Sequence, residues 1–314
     1  MNKMRITSTL SGFSAACVLV LALPQTGHSQ SIFWAENDSG EIRTADWDGT
    51  SGGVVADGLA QPVGVAIDAA SGHVYYGDND PDGGNLYRSN LDGTGQETLV
   101  SGITNMQMIS LDLDGGHVYW GQYETAVGGD GMVQRAELNG DNVELLFDDA
   151  DRYTALSLDL DNGHVYASDP ANGLLHRSNL DGTDLVATED RFGGWVTNDI
   201  AIDGGQMYYS HDPEIRVSDL DGSNEQVLGE LDEGYLPLGV AVAPDGNVFF
   251  SGRNNADPGN GAIGLYDGDV FTTTFIDAEN PFGVAVIPEP STYALMFALG
   301  AGVIVLLRRR MSGK

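Results

Sequence analysis

The sequence predicts an all-β fold, a six-bladed β-propeller closed by strands from both termini. One reason is composition, because 43 glycines are spread through short apolar runs and long helical periodicity is almost absent between the two ends. A second reason is an aromatic segment that recurs six times at intervals of 41 to 47 residues. That interval is the period of a propeller blade with four strands.

Each blade is predicted around one aromatic strand, preceded by an apolar strand and followed by a tight turn. The six aromatic strands are Ile32-Phe33-Trp34-Ala35, Val74-Tyr75-Tyr76-Gly77, Val118-Tyr119-Trp120-Gly121, Val165-Tyr166-Ala167-Ser168, Met207-Tyr208-Tyr209-Ser210 and Val248-Phe249-Phe250-Ser251. The turns contain Asp-Gly or Asn-Gly pairs, as at Asp92-Gly93, which tolerate the positive φ angles of hairpin turns.

The order of these elements predicts how the ring closes. The repeat region begins with an aromatic strand at residue 32 and ends with an apolar inner strand at residue 286. One blade must therefore combine strands from both ends, which removes an exposed sheet edge. We expect a single propeller domain over residues 31–287.

Three segments carry a resemblance to a known family. Val118-Tyr119-Trp120 and the stretches at 86–94 and 61–68 look like the YWTD repeats of low-density-lipoprotein receptor class B, a family of six-bladed propellers. The sequence departs from that pattern at the fourth letter, where Gly or Ser often replaces Thr, and at Ala167, where an aromatic residue is missing. The resemblance implies a propeller that binds proteins and is not an enzyme, and the departures leave its ligand open.

The N-terminus has the features of a secretory signal peptide over residues 1–29. Lys3 and Arg5 precede an apolar run at 15–23, and small residues lead to a cleavage site between Ser29 and Gln30. Nine apolar residues fall short of the roughly 20 that a membrane-spanning helix needs. The only cysteine lies in this run, so the mature chain is expected to lack disulfides and thiolate chemistry.

The C-terminus has a short polar motif, an apolar segment and a basic stop, over residues 288–310, before a tail at 311–314. The residues expected to direct sorting and processing are Pro288, Glu289, Pro290, Arg308, Arg309 and Arg310. This order resembles the PEP-CTERM sorting signal, although a plain tail anchor stays open. The resemblance implies a hydrophobic helix as a transient anchor, an exosortase-type processing enzyme and export machinery as partners, and a final place at the cell surface or in the extracellular matrix.

Charge excludes one class of partner. Between Gln30 and Pro290 the chain has eight arginines, no lysine and all 46 acidic residues, a net charge of −38. Such a surface repels nucleic acid and anionic lipid headgroups. The acidity fits either a saline medium or a demand for divalent cations.

The face that carries the loops between second and third strands and the crossings between blades is predicted to bind the ligand. We call it the variable-loop face, because its loops at 77–85, 121–131 and 251–261 differ in length and content. An extracellular polysaccharide or a surface protein is the expected ligand. The candidate ligand residues are Tyr123, Tyr153, Trp195, Tyr235 and Arg253, and a packing role is equally open for each aromatic.

No catalytic residue is predicted. Three histidines, at 73, 117 and 164, hold the same position before an aromatic strand, and neither His176 nor His211 has an assignable serine or carboxylate partner. The alternative is a metal-dependent, lactonase-like hydrolase with a divalent ion at the central channel. Its candidate ligands are Asn105, Asn198, Asp199 and Asn280. No other cofactor is expected.

Overall fold

Six antiparallel sheets, each of four strands, form the described part of the protein. A computed structural model describes residues 31–80, 82–123, 131–188, 198–257 and 259–287. These residues contain 24 strands and no helix. The six-bladed propeller predicted from the repeat is therefore confirmed.

Each blade begins at the central channel with its innermost strand and ends at the rim with its outermost strand. In that order, blade 1 contains β24 (Pro281–Ile287), β1 (Ser31–Glu36), β2 (Glu41–Asp46) and β3 (Gly52–Ala56); blade 2 contains β4 (Pro62–Asp68), β5 (His73–Asp78), β6 (Gly84–Asn90) and β7 (Glu97–Ile103). Blade 3 contains β8 (Ile109–Asp112), β9 (His117–Tyr123), β10 (Gly131–Glu137) and β11 (Glu144–Ala150); blade 4 contains β12 (Leu156–Asp159), β13 (His164–Asp169), β14 (Leu174–Asn179) and β15 (Val186–Thr188). Blade 5 contains β16 (Ile200–Asp203), β17 (Gln206–His211), β18 (Glu214–Asp219) and β19 (Gln226–Glu230); blade 6 contains β20 (Tyr235–Val242), β21 (Val248–Asn254), β22 (Gly261–Tyr266) and β23 (Phe271–Ala278).

Blade 1 joins the two ends of the described chain. The last strand, β24, pairs antiparallel with the first, β1, so that Ser31 lies opposite Ile287 and Trp34 lies opposite Val284. This pairing confirms the predicted closure. It also places both ends of the described chain in one four-stranded sheet, where their strands pair with each other.

The aromatic strands are the second strands of the blades, and both of their faces are covered. Tyr75, Tyr119, Trp120, Phe249 and Phe250 are among the largest fully buried side chains. Six apolar clusters lie between adjacent blades, one at each of the six contacts around the ring. Burying an aromatic side chain in such a cluster contributes about 1.5–3 kcal/mol. The repeated aromatic pairs therefore hold neighbouring blades together.

The turns between third and fourth strands also hold neighbouring blades together. Gly93 has a φ of +82°, and a Cβ atom there would lie 2.2 Å from the carbonyl oxygen of Val55 in the preceding blade. Gly140 and Gly182 meet the outer strands of their preceding blades in the same way. The Asp-Gly and Asn-Gly pairs thus supply both the positive φ angle and the space that this contact needs.

Candidate functional site

The inner strands surround a central cavity of about 310 Å³. Its described lining is mainly aliphatic, and its polar side chains are Ser110, Ser157, Asp199 and Asp203. Asp203 is exposed, whereas Asp199 is only 5% exposed. The channel therefore contains one buried carboxyl group among the described residues.

Asp199 occupies a position that most other blades give to small residues, among them Gly64, Ala155 and Gly239. Its Oδ1 atom accepts a hydrogen bond from the N–H of Ile200 at 2.9 Å. Its Oδ2 atom accepts one from the N–H of Val240 in blade 6, also at 2.9 Å. Burial raises the pKa of Asp199 to about 8, although both N–H donors act in the opposite direction. The group connects two blades and titrates near neutral pH.

The other three predicted metal ligands make hydrogen bonds within the crossings between blades. The Nδ2 atom of Asn105 donates to the carbonyl oxygen of Tyr123 at 3.1 Å, and that of Asn198 donates to the carbonyl oxygen of Pro237 at 2.8 Å. Asn280 donates to Asp38 Oδ1 at 2.7 Å. Within the described ranges, no group of three or more His, Cys, Asp and Glu side chains is placed to hold a metal ion. The hydrogen bonds give these asparagines a structural role.

Tyr123 and Arg152 form a pair on the variable-loop face. Tyr123 ends β9 and is half-buried, and Arg152 lies in the crossing that leads to β12. The Arg152 guanidinium carbon lies 5.7 Å from the centre of the Tyr123 ring, within cation–π range. The Nε atom of Arg152 is buried and has no hydrogen-bond partner. A cation and a flat ring therefore lie side by side at this face.

Tyr235 and Arg253 lie in adjacent strands of blade 6, at the end of the blade that belongs to the variable-loop face. Tyr235 begins β20 and is half-buried, and it pairs with Asn254, the residue that follows Arg253 in β21. The Nη2 atom of Arg253 lies 3.5 Å from Asn255 Oδ1, and its Nε atom is buried without a hydrogen-bond partner. The register places the Tyr235 and Arg253 side chains on opposite faces of the sheet, so they do not repeat the contact between Tyr123 and Arg152.

Tyr153 is a correction to the predicted ligand set, because its side chain is fully buried. Its hydroxyl lies 3.2 Å from His176 Nδ1, and its ring meets the edge of Phe147. Burial raises the pKa of Tyr153 and lowers the pKa of His176. Tyr153 is a core residue of blades 3 and 4.

Several other predicted residues lie outside the described residues. These are Trp195, the cleavage site at Ser29 and Gln30, and the sorting residues 288–290 and 308–310.

The described arginines divide into two groups by their ion pairs. Arginines of the framework have a carboxylate within ion-pair distance, and these are Arg43, Arg88, Arg135 and Arg216. Among the described residues, Arg152, Arg177 and Arg253 have no such partner. Of these three, only Arg253 is a ligand residue predicted from the sequence. The unpaired group is unexpected because acidic residues outnumber basic ones so strongly in this chain.

Comparison with known proteins adds two findings. The model of the PEP-CTERM protein-sorting motif matches residues 286–310. The chain carries a PEP-CTERM sorting motif. This motif is a recognition signal for exosortase processing, so the chain has the signal of an exported protein with a transient C-terminal membrane anchor. Within the described residues, no helix is long and apolar enough to cross a membrane.

Solved structures are similar to the propeller itself. A chain of a nidogen/laminin complex matches with a TM-score of 0.59 and 16% identity, over 83% of this chain and 81% of that chain. TolB from Acinetobacter baumannii matches with a TM-score of 0.64 and 14% identity, over 83% of this chain and 67% of that chain. No curated protein matches the chain. At these identities the similarity shows the six-bladed fold and leaves the ligand open.

Proposed function

We propose that this protein is a non-enzymatic binding protein of the cell surface or its extracellular matrix. Its ligand is a polysaccharide or a surface protein, bound through the variable-loop face. The observation that carries this proposal is that two arginines on that face, Arg152 and Arg253, have no carboxylate partner among the described residues. The ligand chemistry that fits them is a carboxylate, because guanidinium groups bind carboxylates with strong charge-assisted hydrogen bonds.

The cost of an unpaired donor supports this choice of ligand. A buried N–H group without a partner costs about 1–3 kcal/mol, and the Nε atoms of Arg152 and Arg253 are both in this state. A ligand oxygen removes that cost where the arginine side chain moves to expose its Nε atom, because both atoms are buried. The Tyr123 ring beside Arg152 adds a flat apolar surface with a polar end, which suits a sugar ring that carries a carboxylate. We therefore favour an acidic polysaccharide over a neutral one, bound locally at the arginines against the general repulsion from a chain with a net charge of −38.

Affinity electrophoresis of the full-length protein tests the proposal. The gels contain polygalacturonate, which carries a carboxylate on each sugar, or dextran, which carries none. We expect retardation in polygalacturonate alone, and about tenfold weaker retention for Arg253→Gln and for Arg152→Gln, since a hydrogen bond to a charged group contributes about 1.5–3 kcal/mol. Arg88→Gln is the matched control, because it removes the same charge from an arginine that is already paired.

Two results would contradict this reasoning. Equal retention of wild type and both variants would exclude the variable-loop arginines as the ligand site. Release of oligosaccharides from polygalacturonate by wild-type protein would contradict a non-enzymatic role, and it would direct attention to the channel and Asp199.

A further inference from the structure

Blades 2 and 3 each have an arginine that connects the outer strand of the blade to the next blade. In blade 2, Arg88 Nε donates to Glu97 Oε1 at 2.8 Å, and Arg88 Nη1 donates to the carbonyl oxygen of Leu138 in blade 3 at 3.0 Å. In blade 3, Arg135 makes the corresponding bonds to Glu144 and Leu180, at 2.9 and 3.0 Å. In both blades the guanidinium group is paired with a carboxylate from the fourth strand.

Blade 4 keeps the arginine and lacks the carboxylate. Arg177 has the same place in the third strand, but its partner in the strand register is Val186, where the other two blades have Glu97 and Glu144. Val186 is 45% exposed. Among the described residues, no hydrogen bond or ion pair involves the Arg177 guanidinium, which is half-buried.

A cavity of about 290 Å³ lies at this position, between blades 4 and 5. Its residues from blade 4 are Tyr166, Leu175, Arg177, Val186 and Thr188, and those from blade 5 are Leu220 and Asp221. The cavity therefore combines one cation with an aromatic ring and three aliphatic side chains.

The aspartate in this cavity does not replace the missing glutamate. The equivalent residue at the preceding blade contact is Asp181, whose pKa is lowered by hydrogen bonds from Thr183 and also by the charge of Arg135. Arg135 nevertheless pairs with Glu144. Asp221 Oδ1 already accepts the N–H of Ser223 at 2.8 Å. An aspartate in this turn thus accompanies the arginine–glutamate pair without taking its place.

We propose that the cavity around Arg177 is a second binding site, which takes a carboxylate from a ligand in the position that Glu97 and Glu144 fill in the other blades. The aliphatic walls contact the body of the ligand, and the guanidinium group binds its carboxylate. The site belongs to the outer rim near the turns between third and fourth strands, on the face opposite the variable loops. It is therefore independent of the function proposed above.

Arginine side-chain NMR of the full-length protein tests this site. Arginine is selectively labelled with ¹⁵N, and the Nε–Hε resonance of Arg177 is assigned by its loss in Arg177→Gln. The probes are D-glucuronate for a sugar source and N-acetyl-L-glutamate N-methylamide for a protein source, with D-glucose as the neutral control. We expect a saturable shift of the Arg177 resonance with at least one carboxylate and none with glucose.

Val186→Glu is the decisive variant, because it supplies the carboxylate from the chain itself at an exposed position. It should move the Arg177 resonance without any probe and weaken probe binding by up to about five-fold, the upper end of the range for a partly exposed ion pair. Val227→Glu, an exposed valine in the outer strand of blade 5, is the control and should leave probe binding unchanged. No shift with either carboxylate, or an equal shift in wild type and Val186→Glu, would overturn the proposal.

Discussion

Asp199 makes the stability of the propeller depend on pH. In the unfolded chain its carboxyl group has the ordinary pKa of 3.8, whereas burial in the folded protein raises the pKa to about 8. The folded state therefore keeps a proton that the unfolded state has lost between these two values. The corresponding stability is fully present below pH 3.8 and is lost as the pH rises through 8.

The size of this effect follows from the two pKa values. Each pH unit between them changes the free energy of unfolding by about 1.4 kcal/mol for one proton. Between pH 5 and pH 7, Asp199 should therefore remove about 3 kcal/mol of stability. Other carboxyl groups also titrate in this acidic chain, so a comparison with a variant is needed to isolate the contribution of Asp199.

Urea unfolding of wild type and Asp199→Ala at pH 5 and pH 7, followed by tryptophan fluorescence, measures this contribution. Alanine is the residue that blade 4 has at the equivalent position, Ala155. The loss of stability between the two pH values should be about 3 kcal/mol smaller in the variant, because Asp199 no longer contributes. Ser157→Ala is the control: it removes another buried polar group of the channel that does not titrate, and it should keep the wild-type difference.

An equal pH dependence in wild type and Asp199→Ala would refute this reasoning. It would mean that Asp199 is already ionised in the folded protein at pH 5. In that case the N–H donors of Ile200 and Val240 would outweigh the effect of burial.

Four further predictions concern the framework and the ends of the chain. Arg88→Ala should lower the free energy of unfolding by about 1–2 kcal/mol in urea titrations, because it breaks the connection from Glu97 to the next blade. Gly93→Ala should cost more than about 2 kcal/mol in the same assay, since it adds a steric clash to a positive φ angle. Dialysis against a chelator should leave the thermal midpoint unchanged, and elemental analysis should find no stoichiometric divalent ion; a bound ion would instead favour the hydrolase alternative. Replacing residues 288–290 with alanine should keep the exported chain in the membrane fraction, as measured by fractionation and immunoblotting, while replacing 311–313 should not.

The fold could be predicted from the sequence because each blade repeats the same local pattern. The aromatic strand, the apolar strand and the glycine turn are all short-range signals, and their order indicates the closure by β24 and β1. The orientation of a single side chain could not be predicted from such short-range signals. Tyr153 precedes an inner strand as a surface residue would, but its ring turns inward to His176, which is 23 residues away.

The arginine and aspartate sites differ in how much of each could be predicted from the sequence. Arg88 and Arg135 each have a glutamate nine residues later, whereas Arg177 has Val186 at that distance, so this signal is present in the sequence. Its meaning depends on the strand pairing that places the two residues opposite each other. The raised pKa of Asp199 depends on its burial between two blades, where its partner Val240 lies 41 residues away.

The pairing of β24 with β1 also determines the face of the propeller at which the described chain ends. Inner strands run from the variable-loop face to the opposite face, so β24 ends at Ile287 on that opposite face, and Ser31 lies beside it. The sorting motif follows directly after this strand. The described chain thus ends on the side away from the variable loops. A force applied to the chain beyond Ile287 would act along the seam between β24 and β1, and the variable-loop face lies at the opposite end of these strands.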